Sequence, residues 1–218
     1  MRNKAFTTVI SAWVLVAALV LSGCGGKNIT AEEYVQGIYK LMVNMDSEGV
    51  KDLGVSDSDV KKYTEAIEKS VNDTMSSMND SFKQQFGVSV DDELLKACGQ
   101  EYINALKRLS GKTSLESSTD KEYKVKVSTT VLDMPAIVSK AMEAAQSKVK
   151  ASEYETSAEY NKVLIPTYVS ELKEGLAKFT PSSEEVTVTV TVKKDGNKWT
   201  ADLAELSAAI AGAAVKKG

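Results

Sequence analysis

The chain contains no histidine. Serine–histidine–aspartate and cysteine–histidine nucleophiles, histidine-containing zinc sites and histidine pH switches are therefore outside its reach. Any chemistry has to come from carboxylates, hydroxyls, lysines and two cysteines, and each candidate grouping has a plainer explanation. Gly111-Lys112-Thr113 has the last three residues of a phosphate-binding loop, but Leu106 stands where that motif needs its first glycine. A helix stop followed by a loop accounts for it. Asp57-Ser58-Asp59 could begin a calcium loop, yet Val60 and Lys61 follow where further oxygen ligands and a glycine are needed. That stretch and Asp91-Asp92-Glu93 read as acid-rich helix starts. Ser118-Thr119-Asp120-Lys121 and Ser147-Lys148-Val149-Lys150 match S-x-x-K, but the companion S-D-N and K-T-G elements are missing. A carboxylate-based hydrolase needs only Asp and Glu, although helix caps and solvated faces explain the acids here. Cys98 lies on an apolar stripe and is expected to be a buried thiol acting as a small hydrophobe. Tyr34, Tyr63, Tyr102, Tyr123 and Tyr168 fall on apolar faces, which favours core packing over a sugar or peptide cleft. The sequence thus points to no catalytic residue, no cofactor and no metal site.

Cys24 is the exception, and its setting gives it a role. Arg2 and Lys4 precede an apolar run from Val9 to Leu21, interrupted only by Ser11, and small residues follow. That run is too short to span a bilayer, which takes about 20 residues, so residues 1–23 read as a signal peptide. Leu21-Ser22-Gly23-Cys24 resembles the lipobox of bacterial lipoproteins. The resemblance implies a diacylglyceryl thioether on Cys24, cleavage between Gly23 and Cys24, and retention at the outer face of the cell membrane. Two acyl chains suffice for stable anchoring. Gly25 replaces the aspartate that would retain such a protein at an inner membrane, so a cell with two membranes would hold it in the outer one. The released tail, Val16–Gly23, could also serve as a signalling peptide, as some lipoprotein leaders do.

The part after the cleavage point is about 195 residues long, enough for one domain with a core of its own. Residues 24–29 then form the anchor and a short tether, and 30–218 a single domain, helical over 30–111 and sheet-containing over 112–215. Its net charge of roughly −5, with no lysine or arginine cluster, argues against nucleic acid as a partner. With Cys24 lipidated, Cys98 has no cysteine left to bridge within the chain.

Apolar periodicity supplies the frame that would hold any site. Thr30-Ala31-Glu32-Glu33 is a capping box opening a first helix with Tyr34, Ile38, Leu41, Met42 and Met45 on one side. A loop is expected over 49–56. A long helix over 57–86 carries Val60, Tyr63, Ile67, Val71, Met75, Met78, Phe82 and Phe86, and Gly87 ends it. A third helix starts near Asp91, with Leu95, Cys98, Tyr102, Leu106 and Leu109 as its stripe, and Gly111 stops it. The period then falls to two over 123–131, with a short partner strand over 113–118. Asp133 and Pro135 open a helix to about 151, and a further helical stretch covers 154–179, with a break or kink at Pro166. The clearest strand is 185–193. Asp195-Gly196 turns into 197–201, and Asp202-Leu203-Ala204-Glu205 opens a last helix to about Val215. The strand-then-Asp-capped-helix order occurs twice, a weak internal similarity.

These elements predict an α+β fold, with several helices packed on one face of a small antiparallel sheet, of cystatin-like or nuclear-transport-factor-like kind. The valines of 125–131 and 186–192 should face the helices. Lys124, Lys126, Ser128, Thr130, Thr187, Thr189, Thr191 and Lys193 should face solvent. A lipobox leader, a helical first half and V-x-V-x-V strands leading to Asp-capped helices together resemble the uncharacterised lipoproteins of Firmicutes, annotated mostly as domains of unknown function. That resemblance implies a membrane-anchored, extracytoplasmic, non-enzymatic domain that binds a ligand or serves as an accessory. It carries over no functional residue except Cys24. A structural subunit docking on a membrane complex is the alternative, and a carboxylate hydrolase a further one.

Overall fold

The computed structural model describes residues 29–51, 53–196 and 198–216. The leader, Gly23 and Cys24 lie outside the described residues, as does most of the tether.

Helix α1, Ala31–Tyr39, starts where the capping box places it. Thr30 Oγ1 accepts from the Glu33 N–H at 3.2 Å, and the Glu33 carboxylate accepts from the Thr30 N–H at 2.7 Å. The helix then loosens into a π turn, Lys40–Asn44, and Met45 closes it in the left-handed region at φ 54°. Asn44 holds the turn by donating to the Leu109 carbonyl at 2.8 Å. The expected loop over 49–56 begins instead as a short helix, α2, Glu48–Lys51. Helix α3, Asp57–Phe86, follows the predicted bounds, with Ser56 as its cap and Gly87 left-handed at its end. Buried Asn79 joins it to the next helix, exchanging hydrogen bonds with Val90 at 2.9 and 3.3 Å. Helix α4, Asp92–Lys107, is capped by Asp91.

Gly111 is the first residue of strand β1, Gly111–Ser118, and not the helix stop. A Cβ at this position would run into the ring of Tyr39, so glycine is required by close approach. Strand β2 is Glu122–Thr130; a two-residue strand β3, Leu132–Asp133, precedes helix α5, Met134–Lys148, capped by Asp133 with Pro135 in its first turn. Helix α6, Ser157–Ala177, begins at a Thr156 capping box and runs through Pro166 without the expected break. The lost N–H of a proline costs one rung, and the apolar packing of Leu164, Ile165, Tyr168 and Val169, all at most 5% exposed, keeps the rest in place. Strand β4, Glu185–Asp195, pairs with β5, Lys198–Thr200; Asp195 faces Lys198, which puts the turn one residue later than expected. Helix α7, Leu203–Ala214, is capped by Asp202 and followed by β6, Val215–Lys216.

The architecture is α+β. The main sheet is antiparallel in the order β1-β2-β4-β5, with Val125 opposite Val190 and Val127 opposite Val188. Helices α1 and α7 cover its valine face. The expectation that several helices lie there holds for these two, whereas α3, α4, α5 and α6 pack mainly on one another, with α6 against both α4 and α5. The two Asp-capped helices therefore have different surroundings, and the weak internal similarity stops at local order. Strands β3 and β6 make a small parallel ladder for which the sequence carries no signal, Leu132 with Val215 and Asp133 with Lys216. The outer sheet face is exposed at Thr187, Thr189, Thr191 and the lysines as expected, but Thr130 is buried at its end, where its hydroxyl accepts from the Ser110 N–H at 2.9 Å.

Candidate functional site

Helices α5 and α6 pack side by side, and their packing leaves a cleft of about 420 Å3 towards the C-terminal end of α6. Ile137, Ala141 and Ala144 recur at helical spacing on α5 and give the cleft an apolar wall with small residues at its middle. Gly175 lets the helices close, since a Cβ there would stand 3.1 Å from Ile137. Phe179, just past α6, closes one end. Arg108 holds that end by donating to the carbonyls of Leu176 and Phe179 at 2.9 and 3.1 Å.

Of the charged side chains lining the cleft, Glu171, Glu174 and Lys178 each have an ion-pair partner, whereas Lys140 forms no ion pair among the described residues. Glu171 keeps only 12% of its side chain exposed and receives Lys148 at 2.5 Å; the same hydrogen bond and charge raise the Lys148 ammonium above its usual range. Glu174 meets Lys178 at 2.8 Å, and that hydrogen bond, then its charge, holds the carboxyl below the usual carboxylate range. Glycoside hydrolysis asks for an acid with a raised pKa, the opposite of the shift at Glu174. The size falls within the roughly 300–1,000 Å3 typical of small-ligand pockets. The arrangement can hold a small, partly apolar molecule and offer it one or two charged contacts.

The groupings singled out in the sequence do not converge on this cleft. Lys112 and Thr113 stand in strand β1, where Lys112 faces Glu185 at 3.6 Å and the Thr113 hydroxyl donates to the Glu32 carbonyl at 3.0 Å, so no phosphate cradle forms. Asp57 and Asp59 open α3, and the Asp59 carboxyl is held low chiefly by the Ser56 hydroxyl at 2.8 Å. Ser147 donates to the Ala144 carbonyl at 2.7 Å in the last turn of α5, and Ser118 ends β1. Cys98 is fully buried, and burial pushes its thiol up to about 12. Tyr34, Tyr63, Tyr102 and Tyr168 are each at most 4% exposed, while Tyr123 is half-buried edge-on to Trp199. The Tyr63 hydroxyl is buried without a hydrogen-bond partner among the described residues. No group of three or more acidic or cysteine side chains that could hold a metal ion occurs among the described residues. The cleft itself was missed in the sequence, although Ile137, Ala141 and Ala144 were legible as one helix face.

Over residues 50–212 the chain matches the family described as a domain of unknown function, DUF5105. The chain belongs to that family. The DUF5105 segment runs from α2 into α7 and so contains the cleft and the whole main sheet, while α1 precedes it. A crystal structure of ycdA, a candidate lipoprotein from Bacillus subtilis strain 168, is similar at 18% identity with a TM-score of 0.48. The similarity covers 85% of this chain and 56% of that one, so this chain spans little more than half of its length. None of the curated proteins matches this chain.

Proposed function

We propose that this DUF5105 protein is an extracytoplasmic lipoprotein, held at the outer face of the cell membrane by lipid on Cys24, whose domain binds or assists without catalysing a reaction. The observation that carries the reading is Leu21-Ser22-Gly23-Cys24 directly after an apolar run with a basic start. Two further features support it. No helix among the described residues is long and apolar enough to cross a membrane. The cleft between α5 and α6 has the size of a ligand site, and the two carboxylates lining it, Glu171 and Glu174, are each ion-paired with a lysine. The ligand of this reading is a small molecule or peptide end that buries an apolar part against Ile137 and Ala141.

Metabolic labelling with a fatty acid tests the anchor. The native chain should take up label and lose residues 1–23, whereas Cys24→Ala should take up none and accumulate as the longer precursor. Labelling of the Cys24→Ala chain at the native level would refute the assignment.

A further inference from the structure

The described chain begins at one particular end of the main sheet. The indole N–H of Trp199 donates to the Ile29 carbonyl at 3.0 Å, and Tyr34, one turn into α1, stacks on the same indole with ring centroids 6.3 Å apart. Trp199 sits on β5 opposite Lys194, so the entry point is pinned beside the β4–β5 turn. The β1–β2 turn lies next to it: Glu122 pairs with Lys193, and the Lys194 N–H donates to the Lys121 carbonyl at 3.0 Å. Both hairpin tips and the incoming chain therefore share one end of the sheet.

From Cys24 to Ile29 the backbone reaches at most about 18 Å even when fully extended. A lipid on Cys24 would thus keep this end of the sheet within about 18 Å of the bilayer, a distance of two to three headgroup layers. The tips carry Lys121, Lys193, Lys194 and Lys198, none of which forms an ion pair among the described residues; Lys194 lies 5.0 Å over the Trp199 ring. Asp120, Glu122 and Asp195 stand among them, and Glu32 and Glu33 open α1 nearby, so the end is mixed in charge and not a polybasic patch. Lys121, Lys193 and Lys198 are exposed there, and long flexible ammonium side chains meet phosphates as point charges.

We propose that the sheet end formed by the β1–β2 and β4–β5 turns rests on the outer membrane surface, with Lys121, Lys193 and Lys198 against the phosphates of anionic lipids. This rests on the lipid anchor at Cys24. It orients the domain with its strands rising from the bilayer, the threonine face to the side and the β3–β6 ladder at the far end.

The test uses the full chain carrying its own lipid, with mass spectrometry reporting the modification of Cys24. Single cysteines are introduced as Ser118→Cys and Thr200→Cys beside the tips, both exposed and neutral, and as Ser183→Cys near the start of β4, about 30 Å away along the strand. Each is labelled with a fluorophore while Cys98 stays buried, and the proteins are placed in phosphatidylcholine vesicles with phosphatidylglycerol and a headgroup-attached quencher. The tip probes should be quenched several-fold more than the probe at residue 183. Omitting phosphatidylglycerol, or adding Lys121→Gln, Lys193→Gln and Lys198→Gln, should reduce that quenching while the chain remains bound. Equal quenching at the three positions on a lipidated chain overturns the orientation alone. Unchanged quenching in both lysine arms overturns the phosphate contact. A mass showing unmodified Cys24 overturns the anchor and, with it, this placement.

Discussion

Tyr39 and Thr129 offer a sharp test of how the first helix is fastened to the sheet. Both are fully buried, 90 residues apart in sequence, with their oxygens 2.7 Å apart. The Thr129 hydroxyl gives its single proton to the Thr130 carbonyl at 2.9 Å, so the Tyr39 hydroxyl must be the donor in the pair. The two partners are then unequal. Tyr39→Phe removes a donor and leaves Thr129 with its own proton still placed, which should cost about 0.5–1.5 kcal/mol, the net worth of one hydrogen bond. Thr129→Val keeps the β-branched shape a strand prefers but strands the Tyr39 hydroxyl in an apolar interior, at about 1–3 kcal/mol. The double variant replaces both oxygens by apolar groups and should be more stable than Thr129→Val alone. Urea unfolding followed by far-ultraviolet circular dichroism measures all four proteins, and a constant slope with denaturant would confirm that only stability has changed. If Tyr39→Phe proved the more damaging, or the double variant lost the sum of the two, the donor assignment and the reasoning from it would be wrong.

Three further outcomes are expected. Cys98, with its thiol raised to about 12, should react with disulfide reagents in the native domain only at the rate of unfolding, and Cys98→Ser should lower stability by about 1–3 kcal/mol; prompt labelling under native conditions would contradict this. Gly111→Ala should cost about 1–3 kcal/mol or more through collision with the Tyr39 ring, and combining it with Tyr39→Leu should cost less than the two separate losses together, as read from urea midpoints. The Asp133 carboxyl is pushed up by burial but pulled below its usual 3.8 by Lys216 at 2.9 Å and the Ala136 N–H at 3.0 Å. A carboxyl lowered by folding stabilises above its unfolded value and loses that contribution as pH falls through the folded one. Hydrogen exchange at Val215 and Lys216 should therefore speed up selectively below about pH 4, and Asp133→Asn should remove the selectivity.

Local signals were read well where one rule dominated. The capping boxes at Thr30 and the left-handed Gly87 mark helix ends by backbone chemistry that involves only a few neighbouring residues. The valine alternation of β2 and β4 marks the inner face of the sheet for the same reason, except at Val186 near the start of β4, which is 39% exposed where the alternation predicts burial. Errors arose where a distant partner decided. Gly111 looked like a helix stop, yet its smallness answers to a tyrosine ring 72 positions earlier in the chain. Thr129 falls on the inward side of the alternation, but why an oxygen stands there among valines is answered only by the Tyr39 hydroxyl and the Thr130 carbonyl. Pro166 reads as a breaker in isolation, but burial on both sides of it outweighs one missing rung. The cleft is of this second kind, since it exists only through the way α5 and α6 meet. Cys24 is the reverse case, legible from its immediate neighbours alone.

The fastening of α1 also bears on the order in which the protein can take shape. Its partners lie far downstream: Thr129 for Tyr39, Trp199 for the Ile29 carbonyl, and Ser207 for Met42, 165 positions away. A chain emerging amino end first, from a ribosome or through a secretion pore, therefore presents the α1 segment, too short to be a stable helix alone, long before the surfaces that bury it. Loops of this length close slowly because their ordering cost precedes any reward. Tyr34, Val35, Ile38 and Tyr39, all at most 4% exposed in the finished domain, would spend the interval without their strand partners. The same delay keeps the emerging polypeptide extensible and threadable, and makes its amphipathic start a ready handle for a chaperone until the last strands arrive.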